Sequence, residues 1–294
     1  MEGIILGATD STAGPGAIME NMLTVVAQPF VKWAGGKRRL LPEIRKVAPV
    51  SCDRYLEPFV GGGAVAFAFN YHPMMLNDAN AELINAYEVV RDHLNDLVAL
   101  LDAHRMAHGE DYFYKVRKQN PNELSKVEQA ARFIYLNKTA FNGLYRVNRF
   151  GQFNVPFGRY KNPILYDLGN LRAVSSVLQG TELFSLDYSA FLEQYAKPGD
   201  FIYLDPPYQP ISRYSDFKRY TKNQFREGDQ HELAQVFNEL VKLGAYPVLS
   251  NSYSELTLEL YAEHNIQIVE APRNINNNGR GRGPVREILV TPRQ

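Results

Sequence analysis

The sequence predicts a doubly wound, Rossmann-like α/β fold built on a seven-stranded sheet, and three observations predict it. Seven short apolar runs alternate with helical patterns along the 294 residues. Two of the runs end in a carboxylate, Asp78 and Asp205, as strands of a parallel sheet do when they deliver side chains to a ligand at their carboxyl ends. Between the first run and its helix lies Gly61-Gly62-Gly63, a backbone bare enough for close approach. The 45% of hydrophobic residues supports a proper core.

Residues 1–28 hold small residues and a short apolar piece, Met22 to Ala27, without Lys or Arg. A secretory signal needs a positively charged start, so this stretch is expected to be a flexible extension. Phe30 to Lys37 leads an aromatic and basic cluster through Gly35-Gly36 into a helix over Arg38 to Val47. Arg54 to Phe59 reads as the first strand, Ala64 to Phe69 as its helix, and Pro73 to Leu76 as the second strand, ending at Asn77-Asp78. A strict Gly-x-Gly-x-x-Gly fingerprint is missing, which argues for a ligand without a pyrophosphate. Helical spacing runs over Ala81 to Ala103, Asp111 to Lys118 and Lys126 to Asn137.

Asn137 to Lys161 then mixes basic, aromatic and amide residues with turn glycines at 143, 151 and 158. A wet β-hairpin accounts for the glycines. The doubly wound pattern resumes with a strand over Glu182 to Leu186, a helix over Ser189 to Tyr195 and a strand over Phe201 to Leu204. Gln209 to Arg226 reads as a polar loop, Glu227 to Leu243 as a helix, Tyr246 to Leu249 as a strand and Ser254 to Glu263 as a helix. Ile266 to Glu270 and Arg286 to Thr291 are the last strands, joined by a hairpin over Asn274 to Gly283. The expected organisation is a core domain of 29–80 and 163–294 interrupted by a helical and hairpin insert of 81–162.

Charge balance alone says little, because Lys+Arg and Asp+Glu are 32 each. Their distribution says more. No acid falls between Glu128 and Asp167, while Arg132, Lys138, Arg146, Arg149, Arg159 and Lys161 do; Ala271 to Arg286 is again acid-free and carries four arginines. One such run is ordinarily a solvated face, but two in a neutral chain point to a groove for a polyanion. The single cysteine, Cys52, excludes an intrachain disulfide and a multi-cysteine metal site, which fits a reducing, cytoplasmic setting. No apolar run approaches the length of a membrane span.

Asp205-Pro206-Pro207-Tyr208 carries the most chemistry. Two prolines stiffen the backbone, so a carboxylate, the Pro206 carbonyl and the Tyr208 ring converge. Such a corner suits a flat ring with an exocyclic amine, which brings two N–H donors and a π-face. A strand ending in a plain proline turn fits the same four residues.

Six separated motifs give the chain its resemblance to a known family: Lys32-Trp33-Ala34-Gly35-Gly36-Lys37, Glu57-Pro58-Phe59-Val60-Gly61-Gly62-Gly63, Asn142-Gly143-Leu144-Tyr145-Arg146, Phe153 to Tyr160, Asp205 to Tyr208 and Ser250-Asn251. From about Pro29 onward it resembles the Dam-type DNA adenine-N6 methyltransferases, including their DpnM branch, in the alpha-group motif order. The resemblance implies S-adenosyl-L-methionine as methyl donor, with Trp33, Lys37, Phe59, Gly61, Gly63, Asp78, Asp187 and Tyr188 around it and no metal. It implies that Asp205, Pro206, Pro207 and Tyr208 are catalytic and act on an adenine flipped out of double-stranded DNA. It further assigns Lys32, Leu144, Arg146, Pro156 and Tyr160 to base contacts, Phe141 to insertion into the stack, and Asn148 and Arg159 to support or phosphates. GATC is the implied target, although relatives with similar inserts read longer sites containing GAT. Phe141 in place of tyrosine and Phe217-Lys218-Arg219-Tyr220 depart from the enteric Dam pattern and bear on flanking preference. A monomer or weak dimer is expected. Two rival readings are a protein glutamine N-methyltransferase, whose motif opens with Asn and which needs no basic insert, and an inactive DNA-binding module.

Overall fold

A computed structural model describes residues 25–148, 150–208, 225, 227–271 and 285–293. Most of the expected N-terminal extension, the Asn274 to Gly283 hairpin, Arg149 and, apart from Phe225, the loop of Gln209 to Arg226 lie outside these residues. The end of the extension is held: Ala27 is buried, and Gln28 exchanges backbone hydrogen bonds with the Asn170 side chain at 2.8 and 3.0 Å.

Seven strands form one sheet: β1 (Tyr55–Glu57), β2 (Met74–Asn77), β3 (Glu182–Phe184), β4 (Phe201–Leu204), β5 (Tyr246–Ser252), β6 (Asn265–Ala271) and β7 (Val285–Thr291). Their order is β3-β2-β1-β4-β5-β7-β6, with β1 to β5 parallel and β7 antiparallel to both neighbours. The chain thus winds outward in two directions from the β1–β4 pair, and a crevice opens where the direction switches. Register fixes what stands at that crevice. Glu57 is level with Leu76, Asn77 with Phe184, and Leu204 with Leu249. The residues that leave β1, β2, β3, β4 and β5 therefore emerge along one edge.

Successive strand residues enter two different cores, as the pleat requires. Tyr55, Leu76, Tyr203, Val248 and Leu289 pack on one face, while Leu56, Met75, Ile202, Leu204, Leu249 and Ile288 pack on the other. The first face is covered by α1 (Leu41–Val47), α2 (Ala64–Phe69), α3 (Ala81–Asp92) and α7 (Leu168–Leu178) through Ile44, Val65, Leu83 and Leu171. The second is covered by α8 (Tyr188–Tyr195) and α9 (Glu227–Leu243) through Phe191, Leu233 and Phe237, with α10 (Glu255–Leu260) adding the partly buried Leu258. At the far end of the sheet Arg54 donates to both oxygens of buried Asp200 at 2.9 and 2.6 Å, tying the entries of β1 and β4 together.

The helical insert consists of α4 (Leu94–Met106) and α6 (Lys126–Thr139), both packed on α3, and α5 (Glu110–Lys118), packed on α6. The single helix expected over Ala81 to Ala103 is two, because His93 (φ −134°, ψ 37°) leaves the helical region between α3 and α4. The helix expected from Arg38 starts at Leu41 instead, after a 3-10 turn at Lys37–Arg39. Buried Arg132 on α6 closes the insert: it pairs with Glu82 at 3.0 Å and donates to the carbonyls of Val116 and Arg117. The hairpin region beyond α6 is held by two isolated bridges, Ala140 to Phe157 and Val147 to Phe153, rather than by regular strands.

Candidate active site

The glycine turn, Asp78, Asp187 and Asp205 start from strand ends on the common edge, while Trp33 and Lys37 come in from the segment before α1. Beyond β1 the glycine turn folds so tightly that its φ angles at Gly61 and Gly63 are +49° and +73°. A Cβ on Gly61 would stand 2.7 Å from the Trp33 indole, and one on Gly63 would stand 2.6 Å from the Tyr87 hydroxyl. The turn therefore needs glycine for both conformation and space. Asp78 braces it, accepting from Gly61 N at 3.0 Å and Asn80 N at 2.9 Å, while Tyr87 Oη donates to Gly61 O at 3.0 Å. Burial lifts the Asp78 carboxyl to about 6, against those two backbone hydrogen bonds, which favour the charged form.

Trp33 closes one wall. Its ring stacks on Tyr145 with centroids 5.7 Å apart and lies 6.4 Å from Phe133, so it anchors packing and lines the cavity at once. Opposite, Phe59, Tyr188 and Phe225 form an aromatic triangle with centroid separations of 5.0, 6.2 and 6.0 Å. Asp187 caps α8 by accepting from Ser189 N at 2.9 Å and stays exposed at the rim. The cavity enclosed by these walls measures about 1590 Å³ and runs on to Asp205, Glu287 and Lys138.

At the end of β4 the carboxylate of Asp205 meets the buried Lys37 ammonium at 2.8 Å. Lys37 also donates to Gly35 O at 2.7 Å and lies 4.5 Å from the centre of the Tyr208 ring. Ser250 Oγ donates to Asp205 at 3.0 Å and is itself 2.8 Å from Tyr203 Oη, so the carboxylate is held from below by a buried chain. Burial raises the Asp205 carboxyl above the ordinary range, while Lys37 pulls it back down. Pro206 is buried and Pro207 exposed; Tyr208 Oη donates to Glu287 Oε2 at 2.6 Å.

The residues expected to meet DNA lie on the insert or, like Lys32, against it. Lys32 exchanges backbone hydrogen bonds with the Asn137 side chain at 2.7 Å each, and its ammonium lies 4.6 Å from the centre of the Tyr160 ring. Phe141, 48% exposed, donates its N–H to Pro156 O at 2.9 Å, which brings that ring beside the exposed Pro156. Arg146 Nε donates to Asn154 Oδ1 at 2.8 Å; its terminal nitrogens have no partner among the described residues. Asn148 accepts from Phe150 N and Gln152 N at 2.9 and 3.0 Å, a turn-capping role in the free protein. Leu144 is half-buried, and Arg159 is exposed with φ +57°.

Residues 33–275 match the family described as D12 class N6 adenine-specific DNA methyltransferase. The chain belongs to this family. Its curated relatives include the Type II methyltransferase M1.LlaDCHI of Lactococcus lactis subsp. cremoris, 40% identical over 90% of this chain and 95% of the relative. The Type II methyltransferase M.MjaIII of Methanocaldococcus jannaschii is 38% identical over 90% and 98%. The DNA adenine methylase of Escherichia coli K12 is 33% identical over 89% and 94%.

As a member of the D12 class the protein is a DNA adenine-N6 methyltransferase, which sets aside both the glutamine methyltransferase and the inactive module. Within this enzyme the geometry regroups the residues singled out by sequence. Lys37, named with the donor residues, sits in the Asp205–Tyr208 corner, whereas Trp33, Phe59, Gly61, Gly63, Asp78, Asp187 and Tyr188 line or brace the cavity. Several lining residues were missed, and four of them bear on the chemistry. Glu57, fully buried and accepting from Tyr55 Oη at 2.7 Å, reads in sequence as part of a strand. Glu287 lies 79 residues from Tyr208, beyond the reach of local pattern. Phe225 is one of four aromatics in the polar stretch of Gln209 to Arg226, and Lys138 looks like one more surface base. Its ammonium is instead lowered to about 8 by burial and by Lys32. Among the described residues no group of His, Cys, Asp and Glu is placed to hold a metal ion, and no helix is long and apolar enough to cross a membrane.

Proposed function

We propose that the chain methylates N6 of an adenine flipped out of duplex DNA, within GATC, with S-adenosylmethionine as donor. The observation that carries this reading is the corner where Asp205 and the Tyr208 ring meet around the Lys37 ammonium, beside the cavity of about 1590 Å³. The residues present fit the donor. Three aromatic rings offer flat surfaces to an adenine, the glycine turn gives bare backbone to an aminoacyl chain, and Asp78 gives a braced carboxylate to ribose hydroxyls. Trp33, Phe59, Gly61, Gly63, Asp78, Asp187 and Tyr188 would hold it, with Phe225 completing the aromatic wall. Bound there, S-adenosylmethionine supplies an electrophilic methyl group on a sulfonium.

The protein supplies the rest. The adenine N6 lone pair is delocalised into the ring, so acceptors aimed at its two N–H bonds favour the pyramidal nitrogen of the transition state. Asp205 and the Pro206 carbonyl are those acceptors, and Tyr208 stacks the base. The Lys37 ammonium now stands between Asp205 and the Tyr208 ring, and the incoming amine takes over that position. Nitrogen gains a methyl group and loses one proton, for which the Asp205 carboxylate is the acceptor in reach. Lys32, Leu144, Arg146, Pro156 and Tyr160 read the bases around the target, Phe141 enters the stack, and Asn148 and Arg159 hold the turn and the phosphates.

Incubation with tritiated donor and duplexes that contain, lack or alter GATC tests this. Label is expected in GATC duplexes and is expected to fall by roughly five-fold to a hundred-fold for each altered base, given ~1 to 3 kcal/mol per mismatch. Asp205→Ala is expected to abolish transfer while donor binding, followed by calorimetry, stays within a few-fold. Label absent from every duplex, or transfer surviving in Asp205→Ala, sinks the reading.

A further inference from the structure

Tyr208 follows two prolines, so its backbone is stiff, yet a tyrosine ring still turns about two side-chain torsions. A stacking platform needs its plane fixed before the base arrives. The hydroxyl oxygen lies on the axis of the second torsion, so holding it in place fixes the first. The O–H bond, conjugated with the ring, prefers the ring plane, so an acceptor to one side of that axis biases the second. The hydroxyl is held by Glu287, at 2.6 Å, the length of a charge-assisted O–H···O⁻ bond. Burial beside two carboxylates pushes the Tyr208 phenol far up, so the tyrosine remains the donor.

The position of Glu287 follows from the sheet. On β7 it pairs with Ser252 of β5 and shares a face with Leu289, which pairs with Ser250. Leu289 packs in the same core as Tyr203, two residues before Asp205. Strand order and pleat together therefore bring a carboxylate from the antiparallel strand up to the corner formed by β4. The Lys37 ammonium, 4.5 Å from the Tyr208 ring centre, marks the face of the platform that looks into the cavity.

We propose that Glu287 is a positioning residue for methyl transfer: through the Tyr208 hydroxyl it sets the plane of the ring on which the flipped adenine stacks. The inference rests on Tyr208 being that stacking surface. It predicts that Glu287 acts on the base and not on the donor, although it lines the same cavity.

The test compares Glu287→Ala, Glu287→Gln, Tyr208→Phe and the Glu287→Ala/Tyr208→Phe double variant in the full chain. GATC duplexes are used, including one with 2-aminopurine at the target adenine. Glu287→Ala is expected to lose roughly ten-fold in kcat, the scale of a lost hydrogen bond to a charged group, with donor affinity and melting temperature little changed. Glu287→Gln, whose amide oxygen still accepts from the hydroxyl, is expected to recover most of that loss. The double variant is expected to lose no more than either single change, and 2-aminopurine fluorescence is expected to report altered stacking in both. The proposal is overturned if Glu287→Ala keeps kcat within two-fold, if Gln falls as far as Ala, if the losses add, or if donor binding falls in step with kcat. A wild-type protein that methylates none of the duplexes overturns the function proposed above instead.

Discussion

Glu57 shows how much of the site's chemistry hangs on single burials. It ends β1 with 2% of its surface exposed, and burial lifts its carboxyl to about 8, with the charges of Asp205 and Asp78 adding to the shift and the Tyr55 hydroxyl opposing it. At neutral pH it is therefore an uncharged acid, which spares the corner one more negative charge beside Asp205. The sign of its linkage follows. Between the ordinary carboxylate value and about 8 the unfolded chain releases a proton that the folded chain keeps, so this group lowers stability as pH rises through that window. Glu57→Gln, which preserves the acceptor for Tyr55, removes the effect. Thermal melts are expected to coincide for variant and wild type near pH 4.5 and to diverge by several degrees in favour of the variant at pH 8. Curves that stay parallel across that range would mean that Glu57 is already ionised in the fold. Asp205, by contrast, was legible in the sequence, because a carboxylate after an apolar run and before two prolines can only be a strand end. Glu57 was not, since nothing local distinguishes it from a charged residue at a strand's solvent side.

Elements of the core could be read from period and punctuation, and those of the insert only partly. β1, β2, β4 and α9 fall within a residue or two of their expected bounds because hydrophobic period and turn residues agree there. α7 was missed even though Asp167 caps it, accepting from Asn170 N at 2.7 Å, and Leu171, Val174 and Leu178 have core spacing. Gly169 in its first turn, with Pro163 shortly before, weakens the helical pattern there. Illegible in any local pattern is the strut that holds the recognition turn. His108, between α4 and α5, has Nε2 at 2.8 Å from Tyr160 O and Nδ1 at 3.0 Å from Tyr135 Oη. A carbonyl only accepts, so Nε2 donates, and the turn carrying Tyr160 and, through it, Lys32 is referenced to α6. His108→Ala is expected to lower discrimination between GATC and single-base variants by about five-fold, the scale of one hydrogen bond. His108→Gln, which still offers an N–H, is expected to restore it, and kcat on GATC is expected to change less than the ratio does. Equal losses on all duplexes would make His108 a stability residue and nothing more.

At the scale of the whole molecule a chain with 32 basic and 32 acidic residues binds a polyanion only if its charges are sorted, and they are sorted along the chain before they are sorted in space. The acid-free residues 129–166 carry Lys138, Arg146, Arg159 and Lys161 onto the insert, where Lys32 joins them. Lys138 is the sensitive member. Its ammonium is half out of water with Lys32 nearby, so it is held down to about 8 and has no carboxylate partner among the described residues. A DNA phosphate supplies the missing counter-charge and favours the protonated form, so binding takes up a proton as pH rises past 8. Affinity for a GATC duplex, measured by fluorescence anisotropy at constant salt, is therefore expected to fall between pH 7 and pH 9. Lys138→Arg, which stays charged throughout, is expected to flatten that dependence while keeping the slope of log affinity against log salt. Lys138→Gln is expected to flatten it too, but to reduce the salt slope by about one phosphate's worth. If both variants keep the wild-type pH dependence, the proton belongs to another group and Lys138 does not meet the DNA.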